Sequence, residues 1–180
     1  MELIKTSEVF EDIKYFKGKF FPDERGFFKK PFYGSNLDDY FKNVSEVLVS
    51  KSKKNVIRGL HIQRKKPQGK FISVIKGKIL DVAVDLRKNS NTYGKYFSIV
   101  LSEKNSKSVY VPPGFAHGFC GLEKENYIIY NCSNYRHKRS ETGIQYNDKS
   151  LKIKWPLKKP IISKKDKKSF SFIEYKNKFE

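Results

Sequence analysis

Three histidines stand in a chain of 180 residues: His61, His117 and His137. Histidine ordinarily titrates near neutrality, so each is a candidate proton carrier or metal ligand. His137 lies in YRHKR, a polar stretch that suits a solvated side chain. His61 lies in RGLHIQ, with Arg58, Gly59 and Gln63 around it, and these neighbours favour a polar cavity over an apolar core. An arginine three residues before it would aim a guanidinium at an anion or an oxygen in that cavity. An imidazole held by a partner and aimed at an acidified C–H can take its proton. His117 closes the stretch Pro112–Pro113–Gly114–Phe115–Ala116–His117. One or two histidines without a carboxylate at ligand spacing make a poor transition-metal site, so no catalytic metal is expected. No G-x-G-x-x-G occurs, so no bound dinucleotide is expected, and no other cofactor is implied. Cys120 and Cys132 match neither a zinc pattern nor a redox pair and read as reduced, buried thiols.

The elements that must position these groups read as strands. VSEVLVS (44–50), YFSIVLS (96–102), SVYVPP (108–113), GFCGL (118–122) and NYIIYNCSNY (126–135) are short, apolar or alternating, and roughly evenly spaced. FISVIKGKILDVAVDLR (71–87) reads as two strands meeting in a hairpin near Lys76–Gly77–Lys78. The best helical candidate is SNLDDYF (35–41), with Ser35 or Asn36 as N-cap. Short strands in such a series imply a β-sandwich or a closed barrel in a single domain spanning 1–180. The basic, proline-punctuated stretch after Trp155 is expected to wrap that barrel or fray. Hydrophobic residues make up 38% of the chain, enough for a sizeable core. No apolar run approaches the ~20 residues of a membrane helix, and MELIKTSEVFEDIK lacks the apolar stretch of a secretory signal, so a cytoplasmic protein is expected. The formal charge of +19 raises the question of nucleic acid. The lysines are spread along the whole chain, which favours a solvated surface, or attraction to a small phosphorylated substrate, over a nucleic-acid face.

Pro112–His117 has the P-x-G-x-x-H form of the second cupin motif, while the first motif offers only His61, followed by Ile62 and Gln63. Beyond this, FPDERGFF (21–28), VIRGLHIQ (56–63), GKFISVIKGKILDVAVDLRKNSNTYGK (69–95), LSEKN (101–105), VPPGFAHGF (111–119), ETGIQYNDKSLKIKWP (141–156) and ISKKD (162–166) run in one order along the chain. In these segments the chain resembles the dTDP-4-dehydrorhamnose 3,5-epimerase family, cupin-like sugar-nucleotide epimerases. The resemblance implies a cupin-type jelly-roll β-barrel with a few short helices and a homodimer with an N-terminal strand crossing to the partner. It also implies a nucleotide-diphosphate sugar as substrate and a role in making sugars for bacterial capsule or surface polysaccharide. His61 matches the catalytic base, Asp166 the aspartate paired with it, Tyr130 the acid on the opposite face of the sugar, and Lys70 the lysine near the ring carbonyl. Arg25, Arg58, His117, Glu141 and Lys165 fall on substrate contacts, and Phe21 on a ring-packing position.

These roles are chemically coherent. A ketone at C4 acidifies the hydrogens on C3 and C5, because the carbanion becomes an enolate. Inversion then needs a base on one face, an acid on the other, and donors beside the enolate oxygen, for which Lys70 and His117 are suited. Arg25 and Arg58 suit the diphosphate. Taken singly, Tyr130 also fits a packed core tyrosine, Lys70 an exposed strand lysine, His61 a satisfied core histidine, and Asp166, three residues after Ser163, a capping-box acid. Three contact positions depart from the family pattern: Glu46 replaces a usual Gln, Lys30 a usual Glu, and Arg136, after Tyr135, a common second aromatic. Charge changes at such contacts alter what is bound rather than the proton transfer. They leave open dTDP or GDP as the nucleotide and hexose or heptose as the sugar, and the sequence leaves open whether C3, C5 or both are inverted. A cupin that binds the sugar nucleotide without catalysis is the rival reading.

Overall fold

The computed structural model describes residues 2–6, 10–31 and 43–179. The helix expected over 35–41 lies outside the described residues. In chain order the strands are β1 (Glu2–Thr6), β2 (Lys14–Lys17), β3 (Lys19–Asp23), β4 (Gly26–Lys30), β5 (Glu46–Lys53), β6 (Val56–Gln63) and β7 (Lys70–Lys76). They continue as β8 (Lys78–Asp85), β9 (Tyr96–Ser102), β10 (Lys107–Val111), β11 (Phe115–Gly121), β12 (Glu125–Cys132), β13 (Glu141–Gly143) and β14 (Ile161–Ile162), before helix α1 (Phe172–Phe179). Short 3₁₀ turns span Lys138–Ser140 and Asp166–Lys168.

Two sheets form an all-β jelly roll. The first has the order β1-β2-β10-β7-β12-β5, and the second β13-β6-β11-β8-β9, with β14 added in parallel to β6. A separate hairpin, β3–β4, joins neither sheet's ladder, and its Lys29 Nζ donates to the Val74 carbonyl of β7 at 3.0 Å.

The hairpin expected at Lys76–Gly77–Lys78 does not form. The turn is real, but β7 pairs with β10 and β12 in the first sheet, while β8 pairs with β11 and β9 in the second. Both strands are bonded along both edges, so neither can take the other as a neighbour. Gly77 alone carries the chain from one sheet to the other, at φ +85°. A Cβ there would stand 2.2 Å from the Glu125 carbonyl oxygen, so the corner demands glycine.

The second sheet is covered on both faces, which explains why KILDVAVD is buried almost throughout. Ile79 and Ala83 face the barrel interior with Ile72, Val74, Val109, Phe115, Phe119 and Ile128. Val82 and Val84 face outwards, against Leu60, Ile144, Leu151 and Tyr175. Each fully buried valine contributes on the order of 1.5–3 kcal/mol. The outer layer comes from the chain after β13: Ile144 and Leu151 pack there, α1 adds Tyr175, and beyond Trp155 Ile161–Ile162 pair in parallel beside β6. No described helix is long and apolar enough to cross a membrane.

Candidate active site

Between the sheets lies a cavity of about 700 Å³. Its walls follow from strand alternation. On β12, Tyr130 and Cys132 turn inwards; on β7, Lys70 does so; on β5, Glu46 and Ser50. On the facing sheet, β6 supplies Arg58 and His61, and β11 supplies His117.

Residues three apart in a regular strand point to opposite faces, yet Arg58 and His61 line one cavity. Gly59 resolves this. It sits at φ +114°, and the pairing of β6 with β11 shifts register between His117 and Phe119. A Cβ on Gly59 would lie 2.6 Å from the His117 carbonyl oxygen, so only glycine permits this kink beside β11.

His61 Nε2 lies 2.7 Å from a carboxylate oxygen of Asp166, which is 5% exposed. The other Asp166 oxygen accepts the Gly59 N–H at 3.4 Å. Burial opposes the Asp166 charge, but the hydrogen bond and charge of His61, with the Gly59 N–H, outweigh it and hold the carboxyl below its ordinary range. Ser163 Oγ accepts the Asp166 N–H, so the serine does cap the turn, while the carboxylate leaves the turn for His61. His61 Nδ1 has no hydrogen-bond partner among the described residues, and the ring lines the cavity.

Across the cavity, burial pushes the Tyr130 phenol above its ordinary pKa, against the hydrogen bond with Ser50. Tyr130 OH and Ser50 Oγ are 3.2 Å apart. Lys70 is sunk into the wall, and burial presses its ammonium pKa down, with Cys132, Glu141 and Asp81 opposing. His117 Nε2 meets Asp81 at 2.8 Å, both groups buried, and its ring stands edge-on to that of Tyr130, centroids 6.4 Å apart. Two His–Asp pairs therefore sit on adjacent strands, since His117 and His61 are register partners.

The rim is ionic. Arg136 Nε donates to Glu141 at 2.6 Å, Lys165 Nζ donates to the other Glu141 oxygen, and the Arg136 N–H donates to Glu46. Burial works against the Glu141 charge, but these two cations hold its pKa at about 2. Arg58 Nε donates to Ser52 Oγ at 2.9 Å and its Nη2 to the Lys51 carbonyl at 3.0 Å.

The structure thus gathers His61, Asp166, Tyr130, Lys70, His117, Arg58, Glu46, Arg136, Glu141 and Lys165 around one cavity. It does not bring Phe21, Arg25 and Lys30 to that cavity in the same chain. They ride on β3–β4, where Phe21 is exposed and Arg25 pairs with Asp23. Sequence reasoning missed Asp81 and Ser50. Asp81 carried no signal in KILDVAVD, where both strand faces are covered; it falls on the interior face with Ile79 and Ala83 only once β8 is paired. Ser50 carried no signal until the strands were paired.

Known proteins resemble the chain in sequence and in fold. The family model described as dTDP-4-dehydrorhamnose 3,5-epimerase matches residues 8–174. A dTDP-4-dehydrorhamnose 3,5-epimerase of Shigella flexneri is 40% identical over 178 residues, covering 97% of each chain. One from Methanothermobacter thermautotrophicus is 43% identical over 155 residues, 82% of each. The structure resembles that of the dTDP-6-deoxy-D-glucose-3,5-epimerase of Legionella pneumophila in complex with dTDP-4-keto-L-rhamnose, with TM-score 0.89 and 35% identity, over 97% of this chain and 93% of that one. With the His61–Asp166 pair, Tyr130 and an ionic rim gathered around one jelly-roll cavity, and kinship extending over nearly its whole length, the chain belongs to the dTDP-4-dehydrorhamnose 3,5-epimerase family of enzymes.

Proposed function

We propose that the chain inverts C3 and C5 of a dTDP-linked 4-keto-6-deoxyhexose by proton transfer through an enolate. The observation that carries the reading is the placement of the His61–Asp166 pair and Tyr130 on opposite walls of one cavity. A sugar ring lying between them meets a base on one face and an acid on the other. His61 takes the proton from carbon, and Asp166 stabilises the imidazolium that forms. Tyr130 gives a proton to the opposite face. Lys70 and the Asp81-held His117 serve the C4 oxygen, where preorganised donors are worth a few kcal/mol. Arg58, Arg136 and Lys165 attract the diphosphate and nucleotide. The names of the relatives support thymidine and a hexose over guanosine and a heptose. The family resemblance supports a role in supplying a bacterial surface polysaccharide.

The same reading includes a homodimer. Phe20, Phe21, Phe27 and Phe28 are exposed on β3–β4, and Val47 and Val49 on the sheet-edge strand β5. Such a face and edge suit a second copy. A partner's hairpin would bring Phe21, Arg25 and Lys30 to the cavity mouth. Light scattering that gives a monomer mass at micromolar concentration would remove this part of the proposal.

The main test is incubation with dTDP- and GDP-linked 4-keto-6-deoxy sugars in deuterated water, with deuterium located by NMR. His61→Asn is expected to abolish inversion and exchange at C3 and C5. Tyr130→Phe is expected to keep exchange with retained configuration while inverted product falls. Wild-type exchange in His61→Asn refutes the base assignment, and binding without exchange by the wild type leaves a non-catalytic cupin.

A further inference from the structure

The row of β5 side chains beside Tyr130 contains two serines. Ser50 is paired with Ile128 across β5–β12, two rungs from the Leu48–Tyr130 pair and so on the same face, and its hydroxyl reaches the phenol at 3.2 Å. Ser52, further along the same face, is held by Arg58 Nε. Among the described residues Ser50 is the hydrogen-bond partner of Tyr130, and Ser50 Oγ makes no other such bond. A hydroxyl has one donor and two acceptor sites, so Ser50 keeps capacity for water. It is half-buried and lines the cavity, where water can reach it.

The chemistry makes a demand at this spot. Each inversion breaks a C–H bond in favour of His61 and forms a new one with the phenol proton. It leaves an imidazolium and a half-buried phenolate. A phenolate in a low-dielectric wall is costly without a donor, and inverting two centres requires Tyr130 to recover its proton in between. We propose that Ser50 is the positioning residue for Tyr130 and the relay that returns its proton between the two inversions. The inference rests on Tyr130 as the acid. The step balances: Ser50 O–H gives its proton to the phenolate and takes one from water, and the resulting hydroxide takes the proton held by His61. No electrons move and no co-reactant is needed.

The test compares Ser50→Ala, Ser50→Thr and Tyr130→Phe with the wild type on a dTDP-linked 4-keto-6-deoxyhexose in deuterated water. Both kcat and KM are measured, together with the ratio of singly to doubly inverted product by NMR. Losing a hydrogen bond to a charged group predicts a fall in kcat of about 10- to 100-fold for Ser50→Ala. KM is expected to stay within about threefold, because Ser50 acts through Tyr130 and not on the ground-state substrate. The singly inverted share is expected to rise, and Ser50→Thr to restore both readouts. A merely structural role would not shift the product ratio. If Ser50→Ala keeps the wild-type kcat and ratio while Tyr130→Phe loses inversion, this inference falls and the acid assignment stands. A raised KM with unchanged kcat and ratio would make Ser50 a binding contact and also overturn it. If Tyr130→Phe inverts normally, the acid assignment and this inference fall together.

Discussion

Replacing Asp166 by Asn tests how much of the power of His61, the proposed base, lies in its partner. The carboxylate is 5% exposed and stands 2.7 Å from His61 Nε2. At an effective dielectric of about 20, unit charges at that separation attract by at most roughly 6 kcal/mol. That ceiling applies once His61 has taken the proton and become an imidazolium, so the attraction favours the transition state over the resting enzyme. Asn keeps an oxygen for the Gly59 N–H but loses the charge. It also offers an NH₂ group to Nε2. Accepting that donor would force the ring proton onto Nδ1 and leave no basic nitrogen for the substrate. A positioned base is worth about 10²–10⁴-fold, or about 2.7–5.5 kcal/mol, which lies within the electrostatic ceiling. Asp166→Asn should therefore lower kcat/KM by about 10²–10⁴-fold, with C–H exchange falling in parallel. Its melting temperature should stay close to wild type, because Ser163 still caps the backbone N–H of residue 166. The assay is product formation and deuterium incorporation by NMR beside a thermal melt. A folded variant within about threefold of wild-type kcat/KM would refute the pairing argument.

Further outcomes follow from the same cavity. Burial lowers the Lys70 pKa from 10.5 and raises that of Tyr130, so kcat should decline on the alkaline side below pH 10.5 as Lys70 loses its proton. Lys70→Arg should lower kcat but abolish that limb in a pH–rate profile, since guanidinium stays charged. Glu141 has its pKa depressed from 4.5 to about 2, so its stabilisation is fully present above about pH 4.5 and is lost as pH falls through 2. Urea melts at pH 5, 3 and 2 should show Glu141→Gln with a flatter acid dependence than wild type in that window. Activity should survive prolonged chelation with EDTA, because His61 and His117 each give Nε2 to a carboxylate; loss restored by one divalent metal would overturn this.

Much of the barrel was legible because its strands alternate and its turns carry glycine. YFSIVLS coincides with β9, and 44–50 and 126–135 locate β5 and β12. Pairing was not legible. Gly77 marks a break in either topology, and only the second edge of each strand decides between a hairpin and a crossing. Helix α1 has a start signal, since Ser171 and Glu174 form a reciprocal capping box. Its eight residues are too few for apolar periodicity to separate a helix from another short strand.

The site divides along the same line. His61, Tyr130 and Asp166 were assigned from family motifs, and the fold brings two of them into contact across 105 positions of chain. What motifs do not carry is the group behind each acting residue. Asp81 behind His117 and Ser50 beside Tyr130 become visible only through strand register, because each meets its partner on another strand. The departures at Glu46 and Arg136 show the same dependence. Read singly, each is a charge change at a substrate contact. In the structure Glu46 accepts the Arg136 N–H, and the Arg136 side chain is turned onto Glu141. Together they form one ionic rim, while the acting groups below it, His61 and Tyr130, make their contacts with Asp166 and Ser50. On the proposed mechanism, variants at Glu46 and Arg136 should therefore change nucleotide affinity and leave deuterium exchange at C3 and C5 within about threefold of wild type; loss of exchange in a variant that still binds the nucleotide would refute the separation.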